Sequence, residues 1–177
     1  MKILLLPLAL FAMPLSAVAG DCPALLNHQF KTLQGESIDL CQHSDQPILV
    51  VNTASRCGFT PQFEKLEAMS QQYKPRGLLV IGFPSNDFRQ ELQSDKEIGN
   101  FCKMTYGVKF PMISKGSVSG ANAQPFYKGL IAAAGQEPQW NFHKYVITAN
   151  GKAVHSFTSE VQPDDPAIMK LIQPELK

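Results

Sequence analysis

Four cysteines, a single tryptophan and a few side-chain amides are the residues of this chain whose types and spacing could do redox chemistry. Cys57 stands inside ILVVNTASRCGFTPQF, residues Ile48 to Phe63. The stretch opens with apolar, largely β-branched residues that read as a buried strand, leaves it through Asn52 to Ser55, and turns at Cys57-Gly58. Thr60 suits a helix N-cap and Pro61 a first helical position, and Phe63, Leu66, Met69 and Tyr73 then recur at helical spacing. A cysteine between a buried strand and a helix N-terminus faces unpaired backbone N–H groups and the positive end of the helix dipole, which favour a thiolate over a thiol. The chemistry open to it is nucleophilic attack. A buried cysteine beside a strand is also an ordinary small core residue, so placement alone leaves both readings standing.

The elements that must position Cys57 follow from pattern. Gln29 to Leu33 and Ser37 to Leu40 flank a Gln34-Gly35 turn and predict a hairpin. Leu78 to Phe83 is a second buried strand, which with Ile48–Val51 and the helix between them makes a right-handed parallel βαβ unit. Ser94-Asp95-Lys96-Glu97 is a capping box opening a helix that carries Ile98, Phe101 and Cys102 and ends near Tyr106-Gly107. Phe110 to Ile113 reads as extended. Gln124-Pro125 opens a helix through Ala134, stopped by Gly135, and Asp165-Pro166 opens a last one to Gln173. Phe142 to Ile147 and Ala153 to Phe157 flank Asn150-Gly151, a strong hairpin signal. These elements predict an α/β fold, a central mixed sheet with helices on both faces and an N-terminal β-hairpin.

The chain has 177 residues, 44% hydrophobic, with net charge +1. That is one domain with a proper core, and nothing in the charge suggests nucleic acid as a partner. Lys2, the apolar run Ile3 to Leu15 and Ala17-Val18-Ala19 make a secretory signal peptide, so residues 1–19 are expected to be removed and 20–177 to form a single domain. The run is short for a span and broken by Pro7 and Pro14, and no later segment could cross a membrane. Cys22 raises a lipoprotein alternative, which Ala19-Gly20-Asp21 ahead of it does not suit. Export, most simply to a bacterial periplasm, permits disulfides, and Cys22 and Cys41, flanking the hairpin, are the expected structural pair. His28, His43, His143 and His155 are scattered singly, which offers no metal-ligand spacing.

Three strings carry a resemblance. NTASRCGFTPQF, GFPSNDFRQEL (Gly82 to Leu92) and WNFHKYVI (Trp140 to Ile147) resemble, in order and separation, the three motifs of the glutathione peroxidase family in its cysteine-containing form. The resemblance runs from about Phe30 to the C-terminus. It implies a thioredoxin-like fold, no cofactor, and Cys57 as the sulfur that attacks a hydroperoxide and becomes a sulfenic acid. It places Gln90, Trp140 and Asn141 around that sulfur as uncharged donors, preorganised to stabilise negative charge.

The chain also departs from the family pattern. Ser85 stands where many members have cysteine, and Asp87 where many have glutamine. One residue separates Phe88 from Gln90 where two are usual, so Asn86 is an alternative amide. Cys102, 45 positions after Cys57, matches the resolving cysteine of thioredoxin-using members; read locally, it could simply fill core one turn after Ile98. A resolving role requires Cα atoms within about 7 Å, so the Ser94–Met104 helix would have to unwind or shift. The expected partners are a hydroperoxide and a thioredoxin-like dithiol protein, or glutathione. The short stretch between Gly129 and Trp140 suggests a monomer with an open site that admits lipid hydroperoxides. A peroxide sensor passing its disulfide to a partner would use the same residues.

Overall fold

The computed structural model describes residues 22–177; the expected signal peptide and its cleavage point lie outside them. Strand β3 (Ile48–Thr53) is buried along its whole length. Its side chains alternate between two cores, as a strand covered on both faces must. Leu49 and Val51 point into a core shared with α1 (Gln62–Tyr73), α2 (Asp95–Tyr106) and α4 (Pro166–Ile172). Ile48 and Val50 point into a second core with Phe126, Tyr127 and Leu130 of α3 (Pro125–Ala134) and with Phe30 and Ile38 of the hairpin β1 (Gln29–Lys31) and β2 (Ser37–Asp39). Each fully buried Leu, Ile, Val or Phe contributes roughly 1.5–3 kcal/mol, so the apolar run that first suggests a strand is also a large source of stability.

β3 pairs parallel with β4 (Leu79–Pro84), from Ile48 opposite Leu79 to Thr53 opposite Pro84, across the α1 crossover. On its other side it pairs antiparallel with β5 (Lys144–Ile147), which pairs antiparallel with β6 (Val154–Phe157), giving the order β4-β3-β5-β6. This is the mixed sheet with flanking helices that the sequence predicts. The extended Pro111–Ile113 segment bonds along the outer side of β4 through Gly82, and a Cβ on Gly82 would collide with the Met112 sulfur. The capping box forms in full, Ser94 with Glu97, and Gly107 closes α2 in the left-handed region at φ 62°. Among the described residues no helix is long and apolar enough to cross a membrane.

Two expectations change. Asn150-Gly151 does not make a two-residue hairpin turn. Both residues have positive φ, as that dipeptide favours, but they sit in a six-residue connection closed by Thr148 and Ala153. The strand also starts at Lys144 rather than Phe142, because Phe142 adopts φ 63° and leaves the ladder.

A disulfide joins Cys22 to Cys41, with Cα atoms 5.4 Å apart and a sequence separation of 19. It ties the start of the described chain to the segment after β2, and it leaves no Cys22 thiol for a lipid. Closing a loop of this length removes about 3 kcal/mol of denatured-state freedom in the chain-entropy picture. Cys22→Ser with Cys41→Ser should therefore lower the urea unfolding free energy by about 3 kcal/mol. Adding reductant should bring the wild type down to the double variant and leave the variant unchanged.

Candidate active site

The chain leaves β3 at Thr53 and makes a tight turn around Cys57. The Cys57 N–H donates to the Thr60 hydroxyl oxygen at 3.0 Å, and that hydroxyl lies 2.6 Å from the Cys57 carbonyl and 3.0 Å from the Ala54 carbonyl. Thr60 is thus not the N-cap of α1. Its hydroxyl faces the interior of the turn, Pro61 has no N–H, and the N–H groups of Gln62 and Phe63 already donate to the Phe59 and Thr60 carbonyls. The helix begins one turn after the cysteine, with its first donors spent on short i to i−3 bonds. The Cys57 sulfur accepts from the Phe59 N–H at 3.4 Å, and the residue is 8% exposed.

The second motif docks onto this turn through its backbone. The Arg56 N–H donates to the Gln90 carbonyl at 2.9 Å, and the Ser55 N–H donates to the Glu91 carboxylate at 3.0 Å. The shortened loop closes by placing Arg89 at φ 59°. The Asn86 side-chain oxygen accepts from the Glu91 N–H at 3.1 Å, so that amide closes its own loop. Asp87 turns the other way and holds the N–H groups of Val118 and Ser119. Of the two candidate amides, Gln90 is the one that meets the third motif: Asn141 Nδ2 donates to Gln90 Oε1 at 2.8 Å. Asn141 is fully buried, whereas Trp140 is 42% exposed and packs on Phe88 with ring centroids 5.4 Å apart. Among the described residues, no side-chain donor of Gln90, Trp140 or Asn141 is hydrogen-bonded to the Cys57 sulfur. The arrangement therefore brings Cys57, Gln90 and Asn141 together by a chain of bonds, with Trp140 at the open edge.

Cys57 and Cys102 are both free and both belong to the core that β3 shares with α1 and α2. Cys102 is 2% exposed. Burial, and then the nearby Glu91 carboxylate, push its thiol up to about 12. Glu91 itself is held above the usual carboxylate range by burial, against the pull of donors from Ser55 and Leu92. Two buried ionisable residues here escape sequence reasoning. Glu91 gives no signal beyond following Gln90. Lys144 gives one, a lysine inside an apolar strand; it is fully buried, and burial lowers it to about 7. Among the described residues no group of His, Cys, Asp or Glu is placed to hold a metal ion.

A thiol at about 12 leaves roughly 10⁻⁵ of Cys102 as thiolate at pH 7. Brief alkylation of the reduced protein should modify Cys57 at least about a hundredfold faster than Cys102, as mapped by peptide mass spectrometry. Unfolding in urea should bring Cys102 up to the rate of an ordinary exposed cysteine.

Residues 25–131 match the family model described as glutathione peroxidase. The chain is 37% identical over 175 residues to the thioredoxin/glutathione peroxidase BtuE of Escherichia coli, covering 85% of this chain and 96% of that protein. It is 40% identical over 146 residues to the hydroperoxy fatty acid reductase gpx1 of a Synechocystis species, covering 76% of this chain and 86% of that protein. The crystal structure of Trgpx in its apo form superimposes with a TM-score of 0.65 at 30% identity, covering 84% of this chain and 95% of that one. With three motifs in order, their segments joined around one cysteine turn, and this breadth of similarity, the chain belongs to the glutathione peroxidase family.

Proposed function

We propose that the protein is a thiol peroxidase in which Cys57 reduces hydrogen peroxide and organic hydroperoxides and Cys102 resolves the product. The Cys57 thiolate attacks the terminal peroxide oxygen; an S–O bond forms, the O–O bond breaks, and water or an alcohol leaves with a proton. The observation that carries this reading is the bonded chain from Arg56 through Gln90 to Asn141, which gathers two neutral amides at the Cys57 turn. Uncharged donors there would stabilise a sulfur anion and a departing oxygen without adding a second buried ion. Trp140, at the open edge, would offer its indole N–H to the incoming oxygen.

In the second step the Cys102 sulfur attacks Cys57, an S–S bond forms and water leaves. A buried thiol at about 12 is a poor nucleophile, so α2 must open to expose Cys102. Its two ends support such a motion. Asp95, its first residue, accepts from the Lys115 N–H at 2.9 Å, and Glu67 on α1 accepts from the N–H groups of Lys109 and Phe110, just beyond it. Anchored ends let the helix between them unwind without freeing the chain. A dithiol protein of the thioredoxin type would then exchange with the Cys57–Cys102 disulfide and restore both thiols; the name of the Escherichia coli relative allows glutathione as well. The half-exposed Trp140 and Phe88, together with the fatty-acid hydroperoxide activity in the Synechocystis relative's name, support bulky lipid hydroperoxides as substrates. Residues 1–19 would direct the protein to the periplasm, where it would work as a monomer.

Cys57→Ser should abolish peroxide consumption. Cys102→Ser should still undergo one stoichiometric oxidation but fail to turn over with a thioredoxin system; running glutathione in parallel identifies the reductant. Peroxide loss at the wild-type rate in Cys57→Ser would overturn the assignment. A wild type that oxidises once and then stops with either reductant would be a sensor rather than an enzyme.

A further inference from the structure

The segment Trp140–Asn141–Phe142 is irregular, and its three successive carbonyls are each taken by a different buried side chain. Asn52 Nδ2 donates to the Trp140 carbonyl at 3.0 Å, Ser159 Oγ to the Asn141 carbonyl at 2.7 Å, and Lys144 Nζ to the Phe142 carbonyl at 2.6 Å. The Phe142 N–H in turn donates to the Asn52 carbonyl at 2.6 Å. Asn52 and Lys144 are wholly buried and Ser159 is 3% exposed. They come from β3, from β5 and from the segment after β6.

Such donors are expensive in a core. Phe142 at φ 63° removes these carbonyls from the β-ladder, so something must satisfy them. Ordinary apolar residues at 52 and 144 would suit a buried strand better if no loop had to be held. Among the described residues Lys144 has no carboxylate within bonding distance. The charged and titratable groups that act on it or answer to it are Glu160, at the surface, and His143, which burial and Lys144 lower to about 4. Asn52 leaves its side-chain oxygen unpaired. The Ser159 carbonyl also receives Gln62 Nε2 at 2.7 Å and Lys144 Nζ at 3.4 Å, which extends the network to the first residue of α1, five positions after Cys57. A buried cation held by carbonyls alone is therefore spent on the backbone that carries Trp140 and Asn141.

We propose that Asn52, Ser159 and Lys144 are positioning residues that clamp the Trp140–Phe142 backbone and so set the aim of Trp140 and Asn141 toward the Cys57 turn. This rests on the peroxidase reading of those side chains. A clamp of this kind acts on reaction geometry more than on fold stability, and the two separate at Lys144. Its folded value, about 7, lies below the free-lysine 10.5. Burial therefore opposes folding fully below pH 7, and the penalty fades as pH rises toward 10.5. Methionine keeps the stem and removes the charge, so Lys144→Met should be at least as stable as the wild type at pH 6 and yet react poorly.

The test is stopped-flow oxidation of reduced protein by hydrogen peroxide, with urea midpoints and the emission of Trp140, the only tryptophan, read on the same samples. Lys144→Met is expected to slow Cys57 oxidation roughly tenfold or more, since small misplacements of reacting groups are costly. Its Trp140 emission should shift and its urea midpoint at pH 6 should not fall. Cys57 alkylation by iodoacetamide, which needs no donor for a departing oxygen, should change by less than about threefold. Ser159→Ala should show a smaller loss of the same kind, and it decides the matter if Lys144→Met does not fold. Oxidation within about twofold of wild type in the folded variants would overturn the proposal, as would parallel losses of oxidation, alkylation and stability. Cys57→Ser, run alongside, separates the two readings. Continued peroxide consumption there removes Cys57 as the reacting sulfur, whereas a Trp140 emission shift in Lys144→Met, read without peroxide, still reports the clamp.

Discussion

Everything in the candidate site hangs from one end of a single buried strand. β3 and β4 run parallel and in register, so Thr53 and Pro84 reach the same edge of the sheet together. β5 runs antiparallel to β3, so its first residue, Lys144, lies near that edge opposite Val51. The Cys57 turn, the Gln90 loop and the Trp140–Asn141 segment are the three stretches that leave the sheet there. Open α/β sheets place their chemistry outside the carboxyl ends of the strands for this reason: the backbone direction fixes where loops can converge. The apolar run Ile48–Val51 matters to function because its burial holds that edge in place.

Convergence alone would leave three loops free to wander. Here it is backed by bonds that do not rely on helices or ladders. Thr60 closes the cysteine turn from within, Glu91 and the Gln90 carbonyl tie the second motif to Ser55 and Arg56, and buried donors hold the third. The buried polar groups are paired with backbone far more than with one another, which stiffens the loops without adding competing charge beside the sulfur. Arg89 and Phe142, both in the left-handed region without being glycine, mark where this arrangement strains the chain. Each costs about 1–2 kcal/mol, and each adjoins a residue of the Gln90–Asn141 pair.

The two cysteine pairs illustrate different demands on sulfur. Cys22 and Cys41 are already bonded and brace the hairpin side of the fold. Cys57 and Cys102 share a core but remain thiols, and the environment of Cys102 suppresses its ionisation. In the proposed cycle, a resolving cysteine kept inert by burial would avoid premature reaction, at the cost of a conformational step in every turnover. Glu91 sits at the junction of both concerns, holding the Ser55 backbone while its charge discourages a thiolate at Cys102.

By itself the sequence determined the elements and the family. Apolar runs, the Ser94 capping box and the glycines at 107 and 135 specify strands and helix ends through local physics that needs no neighbour, and three strings in order identify the reaction class. Tertiary structure decided what each polar side chain does. Thr60 serves the turn rather than the helix, because its hydroxyl is aimed by a fold of the chain that no helix pattern encodes. The choice between Asn86 and Gln90 rests on which amide reaches Asn141, 51 residues away. Glu91 carries no pattern that separates a buried ion from a surface one, and Lys144 carries only its place in an apolar strand. A side chain's partner across the sheet follows from register, and register is set by the whole packed core rather than by the residues on either side.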